Sequence, residues 1–337
     1  MGACQSSAST KVKANAQPFE HAFRDLPAAS CRFRKCALTS VVTLEEVDLG
    51  HGSHGTVRLG TRLADGRQVA IKSLEKTKRE RLVREVRMHM LLDHPNICRL
   101  LEVVEDDQHA HLLMEYCSGG DLNHSMHRVK RFAERDVGSM AVQMLEAIAF
   151  CHRNGIVHRD IKLENWVHCS RRPGAVVKLI DFGLATEMEE GRSLFDVLGT
   201  TEYMSPEMLN SVYDSKTDLW SLGVTLYYMF SGTAPFASPK SDEDTHQIIK
   251  SAAPRFPTKR WHSVSPPAME FVRSLLVKTP AQRPSAEEAL QHPWIRSVDR
   301  TKGDSINPEL LWSLHDFAEC DLVKRAVLGA VAKSTPV

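Results

Sequence analysis

Residues 42–72 read VTLEEVDLGHGSHGTVRLGTRLADGRQVAIK, with aliphatic and β-branched positions alternating with polar ones around glycines and an Asp-Gly pair. A period of two marks strands that bury one face, and Asp-Gly marks a tight turn, so the stretch predicts three antiparallel strands. From 76 to 92 charged residues give way to apolar ones at helical spacing, which predicts a helix ending before DHPN. Two more strands are predicted near 98–104 and 110–116. Beyond SGGD the period turns helical, with long amphipathic runs at 133–153, 217–231 and 267–277. The predicted class is α+β: a small antiparallel-sheet lobe over 43–116, then a larger helical lobe over 121–296. Residues 1–42, rich in Ala, Ser, Lys and Arg with little periodicity, predict a flexible arm.

Composition narrows the function classes. With 337 residues, 42% of them hydrophobic, the chain can bury a large core. Lys plus Arg (43) nearly balances Asp plus Glu (42), so the net charge of +1 creates no field that would gather nucleic acid, and no nucleic-acid partner is expected. No run approaches the ~20 apolar residues of a membrane span, and the start lacks the apolar core of a secretory signal, so a cytoplasmic chain is expected. The eight cysteines show no C-x-x-C spacing, which suits reduced thiols.

Chemistry enters through short constellations. LGHGSHGTV, residues 49–57, has the form G-x-G-x-x-G-x-V between two predicted strands, and glycines there let backbone approach phosphate oxygens. A dinucleotide site does not fit, because no helix follows Gly55. In VAIK, Lys72 ends an apolar strand, and Glu85 on the next predicted helix can hold it as an ion pair. HRDIKLEN, residues 158–165, packs a base, two cations, two carboxylates and an amide into eight positions. DFGLA, residues 181–185, follows the β-like run VVKLI, and a carboxylate at such a strand end can hold a divalent cation.

Loop, lysine, HRDIKLEN, DFG and SPE in this order resemble the eukaryotic protein kinase family over residues 43–296. The resemblance implies a bilobal kinase fold, use of ATP and Mg2+, and protein substrates. Leu49, Gly50, Gly52, Ser53, Gly55, Val57 and Ala70 would then cover the nucleotide, and Lys72, paired with Glu85, would bind its phosphates. Glu115 to Cys117 would form the adenine-binding hinge beside Met114, with Asp121 near the ribose. Asp160 would accept the proton of the incoming hydroxyl, Lys162 would neutralise γ-phosphate charge, and Asn165 and Asp181 would hold Mg2+. His158 reads as packing, Arg159 as the tie to the activation segment, and Glu207, Arg283 and Asp218 as structural.

Lys162, two positions after Asp160, and GTTEY before SPE resemble the serine/threonine kinases, and LDHPNI, GGDL and ALQHPWI resemble the calcium/calmodulin-regulated and calcium-dependent kinases. Glu164 stands where basic-directed relatives pair with a substrate Arg. Asp196 stands near the place of a phosphorylated Thr, where it can pair with Arg159 as a permanent substitute; Thr200 is also assigned a regulatory role.

MGACQS fits the myristoylation pattern at Gly2, with Cys4 beside it for palmitoylation. Six Lys or Arg against two Asp or Glu over 1–40 would favour an anionic membrane surface. The tail over 297–337 carries Leu310, Leu314, Phe317, Leu322 and Val323 at near-helical spacing and resembles the junction of calcium-dependent kinases. No D-x-[DN]-x-[DN]-G loop occurs, which departs from the calcium-dependent kinases and leaves three readings: a fragment, an isoform, or a kinase regulated by a separate calmodulin-like partner. The alternative function is a membrane-tethered pseudokinase scaffold, favoured by His54 at the loop tip and by His89 where the family packs an apolar residue.

Overall fold

The computed structural model describes residues 32–299 except Ser53, His54 and Glu190, and the chain divides into two units. The candidate acylation sites Gly2 and Cys4, the loop-tip residues Ser53 and His54, and the tail beyond 299 lie outside the described residues.

The first unit is a six-stranded sheet with one long helix. Its strands are β1 (Arg32–Lys35), β2 (Val42–Gly52), β3 (Gly55–Arg62), β4 (Gln68–Glu75), β5 (Leu100–Glu105) and β6 (His109–Glu115), in spatial order β1-β5-β6-β4-β3-β2. Helix α1 (Arg79–Met90) follows β4. Consecutive strand residues point to opposite faces, so Val103 and Val104, or Leu112 and Leu113, serve two different cores. On one side Leu82, Val86 and Met90 of α1 pack with Leu74, Val103 and Leu112. On the other, Leu38, Val41 and Val42 close over Val69, Ile71, Val104 and Leu113.

That second core corrects the reading of residues 32–42 as part of a flexible arm. Arg32–Lys35 pairs in parallel with β5, Arg34 forms an ion pair with Glu102, and Leu38 and Val41 are buried. The pairing joins segments some seventy residues apart through backbone groups, which leave no local hydrophobic pattern to read.

The second unit is helical and carries two small two-stranded sheets. Its helices are α2 (Leu122–Val129), α3 (Glu134–Arg153), α4 (Lys216–Ser231), α5 (Asp242–Ser251), α6 (Thr258–Trp261), α7 (Pro266–Leu275), α8 (Ala286–Leu290) and α9 (Pro293–Asp299). The short strands are β7 (Ile156–Val157), β8 (Trp166–His168), β9 (Val177–Leu179) and β10 (Thr186–Glu187), with β7 paired to β10 and β8 to β9. Helix α4 is apolar nearly all round and almost wholly buried, and Gly232 ends it in the left-handed conformation at φ 73°. Glu207 and Arg283 form a buried bidentate pair, at 2.6 and 3.1 Å. Together the two units bear out the expected α+β class, a sheet-rich unit and a helical one.

Among the described residues Cys36, Cys98, Cys117, Cys151 and Cys169 are thiols that form no disulfide. No described helix is long and apolar enough to cross a membrane.

Candidate active site

In the first unit the Gly-rich stretch is the turn of the β2–β3 hairpin, with Gly50 opposite Val57 and Gly52 opposite Gly55. Gly55 sits at φ 143°, and a Cβ there would lie 2.6 Å from the Ser73 carbonyl, so no other residue fits without moving β4. A Cβ on Gly50 would meet open space. Val57 is the cross-strand partner of Lys72, and Ala70 lies two residues before it, so Val57, Ala70 and Lys72 share one face of the sheet. Leu49 is partly exposed at the start of this turn.

Lys72 Nζ lies 2.6 Å from Glu85 Oε1 on α1, with both side chains less than a tenth exposed. Two charges so placed are mutually dependent, since removing one leaves the other buried and unpaired. His89, one turn further along α1, is also buried.

In the second unit the catalytic-loop candidates converge. Asp160 Oδ2 accepts from Lys162 Nζ at 2.7 Å and from Asn165 Nδ2 at 3.0 Å, while Oδ1 accepts from the Thr200 hydroxyl at 3.1 Å. Lys162 also donates to Thr200 Oγ1 at 2.9 Å. Asn165 Nδ2 donates to the Asp160 carbonyl as well, at 2.7 Å. Both amide bonds go to acceptors, which fixes the amide orientation and leaves Asn165 Oδ1 outside these two bonds. The β8–β9 hairpin pairs Trp166 with Leu179, and Ile180 N donates to the Asn165 carbonyl, which sets Asp181 beside Asn165. Asp181 adopts φ 62° and its Oδ1 accepts from Gly183 N at 3.2 Å. A carboxylate and an amide oxygen are hard donors and fit Mg2+.

One buried acid on α4 holds the loop in this shape. Asp218 accepts from the backbone N–H of His158 and of Arg159, each at 2.9 Å, and from His152 Nε2 at 2.9 Å. Burial pushes the Asp218 pKa up, but the His152 hydrogen bond, the two histidines and the loop amide together hold it below its ordinary value. A depressed folded pKa means this stabilisation is present above the ordinary carboxylate range and is lost as pH falls through the folded value. Asp218→Asn turns an amide group toward donors and is expected to lower unfolding free energy by about 1–3 kcal/mol. Denaturant melts at pH 7 and pH 3 check this, with the difference between wild type and variant shrinking at the lower pH.

His158 is used up in packing. Its Nε2 donates to the Ile180 carbonyl at 3.1 Å, its Nδ1 accepts from Asp160 N at 3.3 Å, and its ring meets Phe182 edge-on at 5.1 Å. Both nitrogens are occupied, so it has no means to serve as a base.

Arg159, at φ 67° and buried, ties the loop to the segment beyond DFG. Its Nε donates to the Leu184 carbonyl at 2.8 Å and its Nη1 to the Tyr213 hydroxyl at 3.3 Å, and Nη1 lies 3.5 Å from Asp196 Oδ2. The Asp196 side chain is 71% exposed, so its carboxylate is worth under about 1 kcal/mol to Arg159. Tyr213 strengthens the link by donating to the Asp196 carbonyl at 2.8 Å.

The hinge candidates are locally braced. Glu115 Oε1 accepts from Arg99 N at 2.7 Å and from Lys178 Nζ at 2.9 Å, and its carbonyl accepts weakly from Cys98 Sγ at 3.5 Å. Burial alone would depress the Lys178 ammonium, but the Glu115 carboxylate outweighs it and holds the pKa above its ordinary value. Cys117 follows, half-buried, and Asp121 caps α2 by accepting from His124 N at 2.7 Å. Glu164 is exposed in the turn between Leu163 and Asn165.

His152, Tyr213 and Gly199 were not singled out in the sequence. Gly199 adopts φ 108°, and a Cβ on it would lie 2.8 Å from the Arg159 carbonyl. His152 and Tyr213 act 66 and 54 residues from their partners, and no local pattern marks them.

The first unit pairs a strand lysine with a helix glutamate, and the second gathers Asp160, Lys162 and Asn165 in one loop, each the arrangement that the resemblance to protein kinases implies. A family model described as the protein kinase domain matches residues 44–295, and the chain belongs to that family. Its curated relatives include calcium-dependent protein kinase 11 and calcium-dependent protein kinase 4 of Arabidopsis thaliana, each 33% identical over 292 residues. Those matches cover 85% of this chain and 59% and 58% of the relatives. Calcium-dependent protein kinase 22 of Oryza sativa subsp. japonica is 32% identical over 302 residues, 86% of this chain and 52% of the relative. The chain thus spans between half and three fifths of the length of these relatives.

Proposed function

We propose that this chain is a serine/threonine protein kinase that transfers the γ-phosphoryl group of ATP, in the presence of Mg2+, to hydroxyls of protein substrates. The observation that carries the reading is the position of Asp160, whose carboxylate is held by Lys162, Asn165 and Thr200 at 2.7–3.1 Å. In the reaction the substrate oxygen forms a bond to the γ-phosphorus as the bond to the β-phosphate oxygen breaks. Asp160 accepts the hydroxyl proton, and ADP leaves with the electron pair. Lys162 offsets the charge on the transferred group and Lys72 holds the α- and β-phosphates. Asp181 and Asn165 would hold Mg2+, which would supply charge neutralisation on the phosphates.

The acidic surface beside the loop supports a basic substrate. The exposed carboxylate of Glu164 and the half-buried Glu202 both add to burial in raising the pKa values of Tyr203 and Tyr228. A substrate Arg about three residues before the target Ser or Thr would pair with Glu164. A charge-assisted hydrogen bond there is worth about 1.5–3 kcal/mol, or about 10–100-fold. Phosphorylation of a peptide array followed by phosphoamino-acid analysis tests both parts. Phosphoserine and phosphothreonine on peptides with upstream Arg are expected, and Glu164→Gln is expected to raise KM about 10-fold or more for those peptides only. Acidic or proline-directed preference would defeat the substrate reading, and absence of phosphate transfer would defeat the activity.

A further inference from the structure

At the far end of the β5–β6 hairpin, Asp106, His109 and His111 turn their side chains toward one another, and their candidate ligand atoms all lie within 4.8 Å. His111 Nε2 is 2.9 Å from Asp106 Oδ2, and His109 Nδ1 is 3.9 Å from Asp106 Oδ1. His109 and His111 stand two apart on β6 and so share a face, with ring centroids 5.7 Å apart. The turn is firmly built, since Asp106 Oδ1 accepts from Gln108 N at 2.8 Å and His109 N at 2.7 Å. None of these residues takes part in the phosphotransfer chemistry.

We propose that Asp106, His109 and His111 form a binding site for a borderline divalent ion of the zinc type, with a water in the fourth position. Two imidazoles and one carboxylate are a donor set suited to Zn2+ and poorly suited to Mg2+ or Ca2+, which take oxygen ligands. The decisive second feature is Ser73 on β4, whose hydroxyl lies 2.8 Å from His111 Nδ1. Metal-ligating histidines almost always bond their other ring nitrogen to an oxygen that fixes tautomer and orientation. A serine hydroxyl both donates and accepts, so Ser73 can take the Nδ1 proton and free the Nε2 lone pair toward Asp106.

The distances allow closure. Ligands held about 2.1 Å from a tetrahedral zinc lie about 3.4 Å apart, so the Asp106–His111 pair opens by about half an ångström. His109, whose side chain is 37% exposed, closes the remaining gap by a side-chain rotation. His111 and Asp106 are 7% and 32% exposed, which gives the ion one buried ligand and an entry path. Lys76, which donates to the Asp106 carbonyl at 3.0 Å, has its ammonium paired with Glu105 Oε1 at 2.5 Å.

Titration of the whole chain with Co2+ as an optical probe, then with Zn2+ in competition, tests the site. The expected result is one tetrahedral-type Co2+ spectrum per chain, displaced by Zn2+ and unaffected by excess Mg2+. His109→Ala, at a partly exposed turn, and Asp106→Asn should each weaken Zn2+ binding at least 10-fold. Ser73→Ala should weaken it about 10-fold through loss of the ligand's orientation. Equal Zn2+ affinity and stoichiometry in wild type and in the His109→Ala/Asp106→Asn double variant, with both melting alike, would overturn the proposal. So would failure of the wild type to take up Co2+ or Zn2+.

Discussion

Asp160→Asn is expected to lower kcat by about 10²–10⁴, the usual contribution of a positioned general base, while leaving the melting temperature within a few degrees of wild type. The amide keeps the size of the carboxylate, and its oxygen still accepts from Lys162 and Asn165 on the Oδ2 side. What it loses is the ability to take a proton. KM for ATP should hardly change, because Asp160 is assigned to the incoming hydroxyl and not to the nucleotide. A steady-state assay with a Ser-containing basic peptide, run beside a thermal melt, reads both halves of the prediction. A large fall in melting temperature would mean that Asp160 is chiefly a structural anchor for Thr200 and Asn165.

Lys72→Met is expected to damage the protein twice. It removes the ammonium assigned to the α- and β-phosphates, so phosphate transfer should fall to near background. It also leaves Glu85 buried without its partner, at a cost of about 3–5 kcal/mol. The two effects separate in the double variant Lys72→Met/Glu85→Leu, which buries an apolar pair in place of the ion pair. Denaturant unfolding of that variant should return most of the lost stability, while activity stays absent. If stability and activity return together, Lys72 serves the fold alone.

Much of this architecture is written locally in the sequence. The strands β2, β3 and β4 follow from β-formers punctuated by Gly and Asp-Gly, and α3 from its period of 3.6, whereas β4 is buried on both faces and α4 nearly all round, so neither shows a clean one-faced period. The site candidates were legible for a different reason: HRDIKLEN carries three polar groups of the site within six residues, and the structure needs only one loop to gather them.

What could not be read depends on partners distant in the chain. Strand β1 has a single apolar residue, Phe33, in RFRK, and its place in the sheet comes from backbone pairing with β5. Arg159 and Asp181 adopt positive φ without being glycine, a conformation imposed by Asp218 and by the β8–β9 hairpin more than by their own preference. Thr200 was assigned to regulation from its place in GTTEY, and the structure seats its hydroxyl on both Asp160 and Lys162. His89, read as a departure favouring a scaffold, is buried on α1 and replaces none of the groups assigned to phosphate, metal or hydroxyl.

The arrangement around Asp160 makes sense if its carboxylate takes a proton from an alcohol while phosphate moves, and a single-turnover experiment addresses this most directly. Wild type and Lys72→Met/Asp160→Asn are each mixed, in excess, with γ-labelled ATP, Mg2+ and a basic serine peptide, then quenched. The account predicts label on the serine oxygen in a rapid phase for wild type and none in the double variant. Equal label in both, or label released only as free phosphate, would contradict it.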